Sequence, residues 1–375
     1  MMIGIDARGA IWYRGTGIGT YTFQLINHLK RRTEADQYRL FWPGEEYVGL
    51  DIYDEEKLRQ IESGSNYWEE YYLPGQLEKE KIDIYHVPQN GIGLPGVKKC
   101  KEVVTIHDLI PYIYPETVGK GYLKTFLSEM PKIIDRADRV ITVSHCSKKD
   151  IEYIFKYPGD RIDVIYEAPE PIYQPRDEKA CRQFLADQYG ISQDFILYVG
   201  GFSPRKNVKA LLTAYAYIQD DLRKPCLLVL PGRRQKEFDQ IDIMINALDL
   251  KRKVVFPGFV PVRHLPYFYQ CAQLFVYPSF YEGFGLPPLE AMACGTPTLA
   301  ADTSSIPEVV GQSAILFNPF NALDLAEKIL YVLSHWEVRD ELRKKGLNQA
   351  RKFSWSQNAA ETVKVYQKIF YSDNE

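Results

Sequence analysis

Short runs of β-branched and aromatic residues alternate with amphipathic segments along this 375-residue chain, and the whole pattern is run through twice. In the first half, residues 2–5, 38–42, 82–87, 103–106, 140–143 and 163–166 read as strands, with helical patterns at 20–31, 68–80, 122–136 and 148–155 between them. The second half restarts with strands at 195–199, 227–230, 254–256, 274–277, 297–300 and 315–317, and helices at 208–217, 238–248, 288–293 and 323–333. Strand–helix alternation with short connections predicts parallel sheets covered on both faces. Between the halves, residues 168–175 carry three prolines and can propagate neither a helix nor a central strand, so they read as a hinge. The expected organisation is an α/β chain of two doubly wound, Rossmann-like domains, 1–170 and 171–353. The tail 354–375 has Trp355, Ala359, Val363, Tyr366 and Phe370 near helical spacing and is expected to pack back on the first domain.

Composition narrows the partners. The chain is 45% hydrophobic and 25% charged, which suits a globular protein with sizeable cores, and its net charge of −3 gives no overall bias toward nucleic acid. Basic runs at Lys30–Arg32 and Lys98–Lys101 read as solvated surface or as contacts to an anionic membrane or acceptor. The six cysteines include no closely spaced pair, which disfavours a cysteine-based zinc motif or a disulfide framework. No leader pattern precedes the first strand and no apolar run reaches membrane-spanning length, so a cytoplasmic location is expected.

Three glycine-containing turns follow predicted strands. Gly15, Gly17 and Gly19 open the first helical pattern; the spacing is shorter than a dinucleotide fingerprint, and a tight turn explains it as well as a ligand does. Gly200-Gly201 are followed by Arg205, Lys206 and Asn207 at a helix start, where cations are locally unfavourable unless an anion lies between them. A diphosphate would resolve that conflict. The third turn runs from Glu282 through Gly283, Phe284 and Gly285 to Leu286 and Glu290, with Pro287 and Pro288 suited to a first helical turn. Here Glu290 reads either as a first-turn acid complementing the helix dipole or as an acceptor for paired sugar hydroxyls. His107 ends the strand at 103–106, at the carboxyl edge where parallel sheets bind ligands; His86 reads as a core residue. There is no Walker A pattern, no Asp-x-Asp and no His-Glu-x-x-His, so no metal site is expected.

The stretch from Tyr281 to Pro297 resembles the signature of the retaining glycosyltransferases of family 4, which have the GT-B fold, with Glu282 and Glu290 in the two acidic positions of a Glu-x7-Glu motif. The resemblance extends to the Gly17–Gly19 loop, to His107-Asp108 with Pro111, to Ser144 with Ser147-Lys148, to Gly200–Asn207 and to Ser305–Gly311. It implies two Rossmann-like domains facing across a cleft, with the nucleotide mainly on the second. By that resemblance Glu290 would hold the ribose, and Arg205 and Lys206 the diphosphate. Gly201, Phe284, Gly285 and Leu286 would face the phosphates and sugar, with Glu282 near the sugar. Gly258, Phe259 and Val260 would line the base, and His107, with Gly17 and Gly19, would approach from the first domain. Two positions depart from the pattern: Leu230-Pro231-Gly232 stands where many members have a more glycine-rich strand end, and Thr20 where a basic residue is common.

The same resemblance implies a hexosyltransferase acting by a metal-independent, front-face mechanism that retains configuration. The starts Ile5–Arg8 and Ser305–Glu308 resemble members using GDP-mannose, so a GDP-sugar is the first expectation for the donor and a UDP-sugar the second. The acceptor is expected to be a glycan or lipid-linked glycan, with nucleic acid excluded. A lipid-linked acceptor would place the enzyme peripherally on the inner membrane face, with Lys120, Tyr122, Lys124 and Phe126 as candidate contacts. Competing readings are a GT-B-type sugar-nucleotide epimerase, a non-catalytic sugar-nucleotide-binding protein and a nicotinamide-dependent oxidoreductase. The last lacks a clean G-x-G-x-x-G with its acidic residue.

Overall fold

The computed structural model describes residues 1–13, 15–32, 37–42, 68–234 and 238–371. The chain divides into two units, Met1–Glu167 with Trp355–Glu375, and Ala168–Ser354.

The first unit carries β1 (Ile3–Asp6), β2 (Tyr38–Phe41), β3 (Ile84–Val87), β4 (Lys101–Ile106), β5 (Arg139–Thr142) and β6 (Ile162–Val164). They form one parallel sheet in the order β2-β1-β3-β4-β5-β6, so the direction of strand addition reverses between β1 and β3. The central strands are buried along their length because helices cover both faces. The helix Lys120–Arg136 shows how the sequence achieves this: Phe126, Met130, Ile133 and Ile134 recur at helical spacing and join Val104, Ile106 and Val140 in one core. Phe126 is fully buried there, which removes it as a membrane contact; Tyr122 and Leu127 hold the exposed side of that helix.

The C-terminal helix Trp355–Tyr371 is built into this unit by specific bonds. The Tyr366 hydroxyl meets His86 Nδ1 at 2.6 Å, Asn358 donates to the Tyr166 carbonyl at 2.8 Å, and Trp355 packs edge-on against Tyr21. His86 continues through Thr105 (2.8 Å) to Tyr21 (3.2 Å). Burial, with a smaller contribution from His107, pushes the His86 imidazole down to about 3, so it is a neutral core group.

The second unit carries β7 (Phe195–Leu197), β8 (Leu227–Val229), β9 (Val254–Val255), β10 (Leu274–Tyr277), β11 (Thr298–Ala301) and β12 (Ile315–Phe317). Its parallel sheet has the order β12-β11-β10-β7-β8-β9, and the reversal falls between β7 and β10. At such a reversal the loops leaving the carboxyl ends of two neighbouring strands diverge and open a crevice. Here those loops are 198–207 and 278–285, the two that carry the conspicuous glycines, cations and acid.

All twelve expected strands are present: β10 and β12 keep their expected limits, and the ends of the others differ by one or two residues. Three differences bear on the site. A short helix, Arg8–Trp12, separates β1 from the Gly15–Gly19 turn, which therefore does not follow the strand directly. The helix expected at 288–293 begins at Leu286, with Gly285 as its N-cap, so Glu290 is its fifth residue and lies beyond the first turn. The dipole is not the reason it is there. Helices Glu178–Tyr189, Leu265–Cys271 and Trp336–Ala350 add to those expected. Among the described residues, no helix is long and apolar enough to cross a membrane.

Candidate active site

The loop after β7 turns through Gly200 and Gly201 into a single 3-10 turn, Pro204–Lys206, and then into the helix Val208–Ile218. Arg205 and Lys206 thus precede the helix instead of sitting in its first turn. Asn207 makes the junction in the left-handed region (φ 54°), where asparagine is among the few tolerated residues, and its amide donates to the carbonyls of Pro278 (3.1 Å) and Pro319 (2.8 Å). The Phe280 N–H donates to the Arg205 carbonyl at 2.9 Å, so the loops after β7 and β10 are fastened by their backbones.

Between these loops the two cations, expected from the sequence to meet a diphosphate, meet a carboxylate of the chain itself. Glu282 Oε1 receives Lys206 Nζ at 2.7 Å and Arg205 at 2.9 Å, and Arg205 also donates to the Tyr281 carbonyl. Lys206 stands over the Tyr277 ring as well, 5.5 Å from its centroid. Burial pushes the Glu282 carboxyl up, but Lys206 and then Arg205 more than reverse this and hold it at about 2. Glu282 is therefore held as a carboxylate that receives both cations. Its own loop is held by serines: the Glu282 N–H donates to Ser304 Oγ (3.0 Å), and Ser305 Oγ bonds the carbonyls of Glu282 (2.8 Å) and Phe284 (2.6 Å).

Past Glu282 the chain reaches Gly285, whose φ of 120° is one that side-chain-bearing residues rarely adopt. Open space lies where a Cβ would project. Pro287 and Pro288 carry no N–H, so of the first three helical positions only Leu286 can donate. Glu290 accepts a hydrogen bond from the Tyr269 hydroxyl at 2.9 Å. Burial raises its carboxyl to about 7, with Glu170 adding and Tyr269 and Tyr173 opposing. The two acids of the motif are thus driven in opposite directions, one fixed as an anion and one poised near neutrality.

The remaining second-unit candidates adjoin this loop pair. Gly201 is exposed, with nothing near its would-be Cβ. Gly232 is packed so tightly that a Cβ would meet the Phe202 ring at 2.6 Å and the Gly200 carbonyl at 3.1 Å, so the departing Leu230-Pro231-Gly232 segment keeps its glycine where the backbone requires one. The Gly232 N–H donates to the Gly258 carbonyl at 2.9 Å, which ties in the 258–260 turn. Gly258 has φ 78°, Val260 is buried, and Phe259 is exposed with the Arg233 guanidinium 4.6 Å above its ring.

In the first unit, Thr16 caps the helix Gly17–Lys30 by accepting from the Gly19 N–H at 3.2 Å. His107 is buried and engaged at both ring nitrogens, by the Pro88 carbonyl (2.9 Å) and by Glu167 (3.1 Å), while its own N–H is held by Asn90 at 2.9 Å. Ser147 Oγ donates to its carbonyl at 3.0 Å, and Ser144 caps the helix His145–Phe155. The basic run at 98–101 is partly neutralised: Lys98 pairs with Asp138 and Lys99 with Glu78. Sequence reasoning missed Tyr173, Tyr269 and Ser304 as site residues, and left Asn207 and Ser305 without roles. Only the asparagine, at a strand-to-helix junction, carries a local signal.

Two six-stranded parallel sheets with flanking helices are those of the GT-B class, and solved structures share the fold. Sucrose-phosphate synthase from Thermosynechococcus elongatus superposes with a TM-score of 0.76 over 99% of this chain and 100% of its own, at 21% identity. Residues 182–349 match the family model for glycosyl transferases group 1, and residues 15–168 match that for glycosyltransferase family 4. The O-antigen chain mannosyltransferase B of Escherichia coli is 32% identical over 96% of this chain and 98% of its own. The serotype-specific mannosyltransferase WbdA, also of Escherichia coli, is 32% identical over 73% of this chain, a match that spans 34% of that longer protein. The chain belongs to the family 4 glycosyltransferases. It is accordingly a retaining enzyme of the glycosyltransferase class, with a nucleotide-sugar donor and a glycan acceptor.

Proposed function

We propose that this chain transfers mannose from GDP-mannose to a growing glycan, with Arg205 and Lys206 stabilising the departing diphosphate. The observation that carries the chemistry is the Arg205–Glu282–Lys206 cluster at the strand-order reversal. Breaking the sugar–phosphate bond places positive charge on the sugar and negative charge on the leaving diphosphate. Cations already fixed by a buried carboxylate can meet that charge without reorganising, which is where electrostatic catalysis gains most. Glu290 accepts the ribose hydroxyls, and the backbone from Phe284 to Leu286 faces the phosphates and sugar. No side chain is assigned as a covalent nucleophile. In a front-face transfer the leaving phosphate itself takes the proton of the acceptor hydroxyl, which retains the configuration. The choice of mannose is supported by the two mannosyltransferases to which the chain is similar. A glycan or lipid-linked glycan acceptor fits the same relatives, and the exposed Lys120, Tyr122 and Lys124 of the first unit would be its membrane-side neighbours.

A thermal-shift panel of GDP, UDP, ADP and dTDP tests the donor. At a concentration near 100 times Kd the preferred nucleotide should raise Tm by about 5–10 °C. The largest shift is expected for GDP. A larger shift with UDP would move the donor to a UDP-sugar, and no shift with any of the four would overturn the reading.

A further inference from the structure

Glu290 is held from outside its own helix by two tyrosines distant in sequence. Tyr269, on the helix Leu265–Cys271, is fully buried and donates its hydroxyl to Glu290 Oε2 at 2.9 Å. Tyr173 is also buried, packs edge-on against Tyr269 with centroids 5.7 Å apart, and favours the ionised form of the same carboxyl group. Tyr173 belongs to the proline-rich segment that begins the second unit, and that segment is pinned beside the site. The Tyr173 N–H donates to the Glu170 carbonyl at 3.0 Å, and the Arg176 N–H donates to Gln270 Oε1 at 2.8 Å. Gln270 directly follows Tyr269, so the segment and the helix form one support.

Such a support has a chemical reason. A carboxyl group taken out of water drifts toward its protonated form, in which it accepts hydrogen bonds from sugar hydroxyls less well. Donors aimed at it restore the anion and fix its direction. The other groups facing it do not help: Glu170 from the same segment repels its charge, and Cys294, just past the end of its own helix, is kept a neutral thiol by burial and by Glu290 itself. The tyrosine hydroxyls are therefore the groups that favour the ionised carboxylate.

We propose that Tyr173 and Tyr269 are positioning residues for donor binding, holding Glu290 as an oriented carboxylate for the nucleotide ribose. This rests on the reading of Glu290 as a ribose ligand. Neither tyrosine touches the reacting atoms, so removing a hydroxyl should raise KM for the donor and leave kcat at saturation within about twofold.

The test is calorimetric titration of GDP into wild type, Tyr269→Phe, Tyr173→Phe and Glu290→Gln between about pH 5.5 and about pH 8.5. Wild-type affinity should climb as pH rises through about 7, as Glu290 ionises. Each Tyr→Phe change removes a hydroxyl that favours the anion, so that rise should move to higher pH, with affinity at neutral pH lowered about 3- to 10-fold. Glu290→Gln should bind weakly without the rise. Phenylalanine keeps the ring packing, and circular dichroism confirms that each variant is folded. Wild-type affinity and an unmoved pH rise in both tyrosine variants would overturn the positioning role while leaving the glycosyl-transfer reading intact. Failure of the wild type to bind any of GDP, UDP, ADP and dTDP would overturn both.

Discussion

Lys206→Ala should lower kcat about 100- to 1000-fold, the usual effect of deleting one preorganised group aimed at developing negative charge. The substitution leaves Arg205 on Glu282 at 2.9 Å, so the carboxylate keeps a partner and the loop its anchor. Its electrostatic cost appears in acid. Glu282 is held near 2, below the ordinary 4.5, so its ionisation stabilises the fold above about pH 4.5 and that contribution is lost as the pH falls toward 2. Losing Lys206 should raise the carboxyl and narrow that window. Lys206 could also matter only by satisfying Glu282, and the double variant Lys206→Ala/Glu282→Gln separates the two roles. A lysine that merely neutralises Glu282 predicts recovery of kcat in the double variant. A lysine that meets the leaving diphosphate predicts that kcat stays low, and this is the outcome the site geometry supports.

Asp6→Ala should destabilise the first unit by about 3–5 kcal/mol, as expected when one partner of a buried ion pair is removed. Asp6 is fully buried at the end of β1 and Arg8 nearly so. Arg8 reaches Asp6 with Nε at 3.0 Å and Nη2 at 2.6 Å, donates to the Gly93 carbonyl at 2.8 Å, and pairs with Glu69. Burial alone would lower the guanidinium pKa, but Asp6, with smaller contributions from Tyr85 and Glu69, outweighs it and keeps the group charged. Without Asp6 the arginine remains buried and is answered by Glu69 alone. Glycine is required at position 93 beside it, because a Cβ there would stand 2.1 Å from Arg8 Nη2. Urea unfolding followed by tryptophan fluorescence reads this unit well, since Trp12, Trp42, Trp68 and Trp355 lie in it and only Trp336 in the other. The transition dominated by the first unit should move to lower urea. An unmoved midpoint would mean that Glu69 and water satisfy Arg8 without Asp6.

The sheets were legible because buried parallel strands must be apolar along their length. Leu274–Tyr277 and Ile315–Phe317 coincide with the expected limits, and the other strands lie within a few residues of theirs. The helix Trp336–Ala350 was not, because its buried face is made of Leu342, Gly346, Gln349 and Ala350, a pattern with little apolar contrast. Gly346 is there for contact, its would-be Cβ lying 3.1 Å from Met292. At the site, the types of residue could be read but not their pairings. Arg205 and Lys206 were recognisable as cations in want of an anion, while the fact that Glu282 supplies one depends on two loops meeting at a strand reversal. The same holds for Tyr173 and Tyr269, whose hydroxyls matter only through Glu290, and for His107, whose position at a strand end was visible while its engagement by Pro88 and Glu167 was not.

Glycosyl transfer with retention from a GDP-sugar is tested most directly by incubating the protein with GDP-mannose and a mannose-containing oligosaccharide primer, and assigning the new linkage by NMR. An α-mannosyl product should form with wild type and fall to near background with Lys206→Ala. No transfer from GDP-mannose or any other nucleotide sugar, or a product of inverted configuration, would contradict that chemistry.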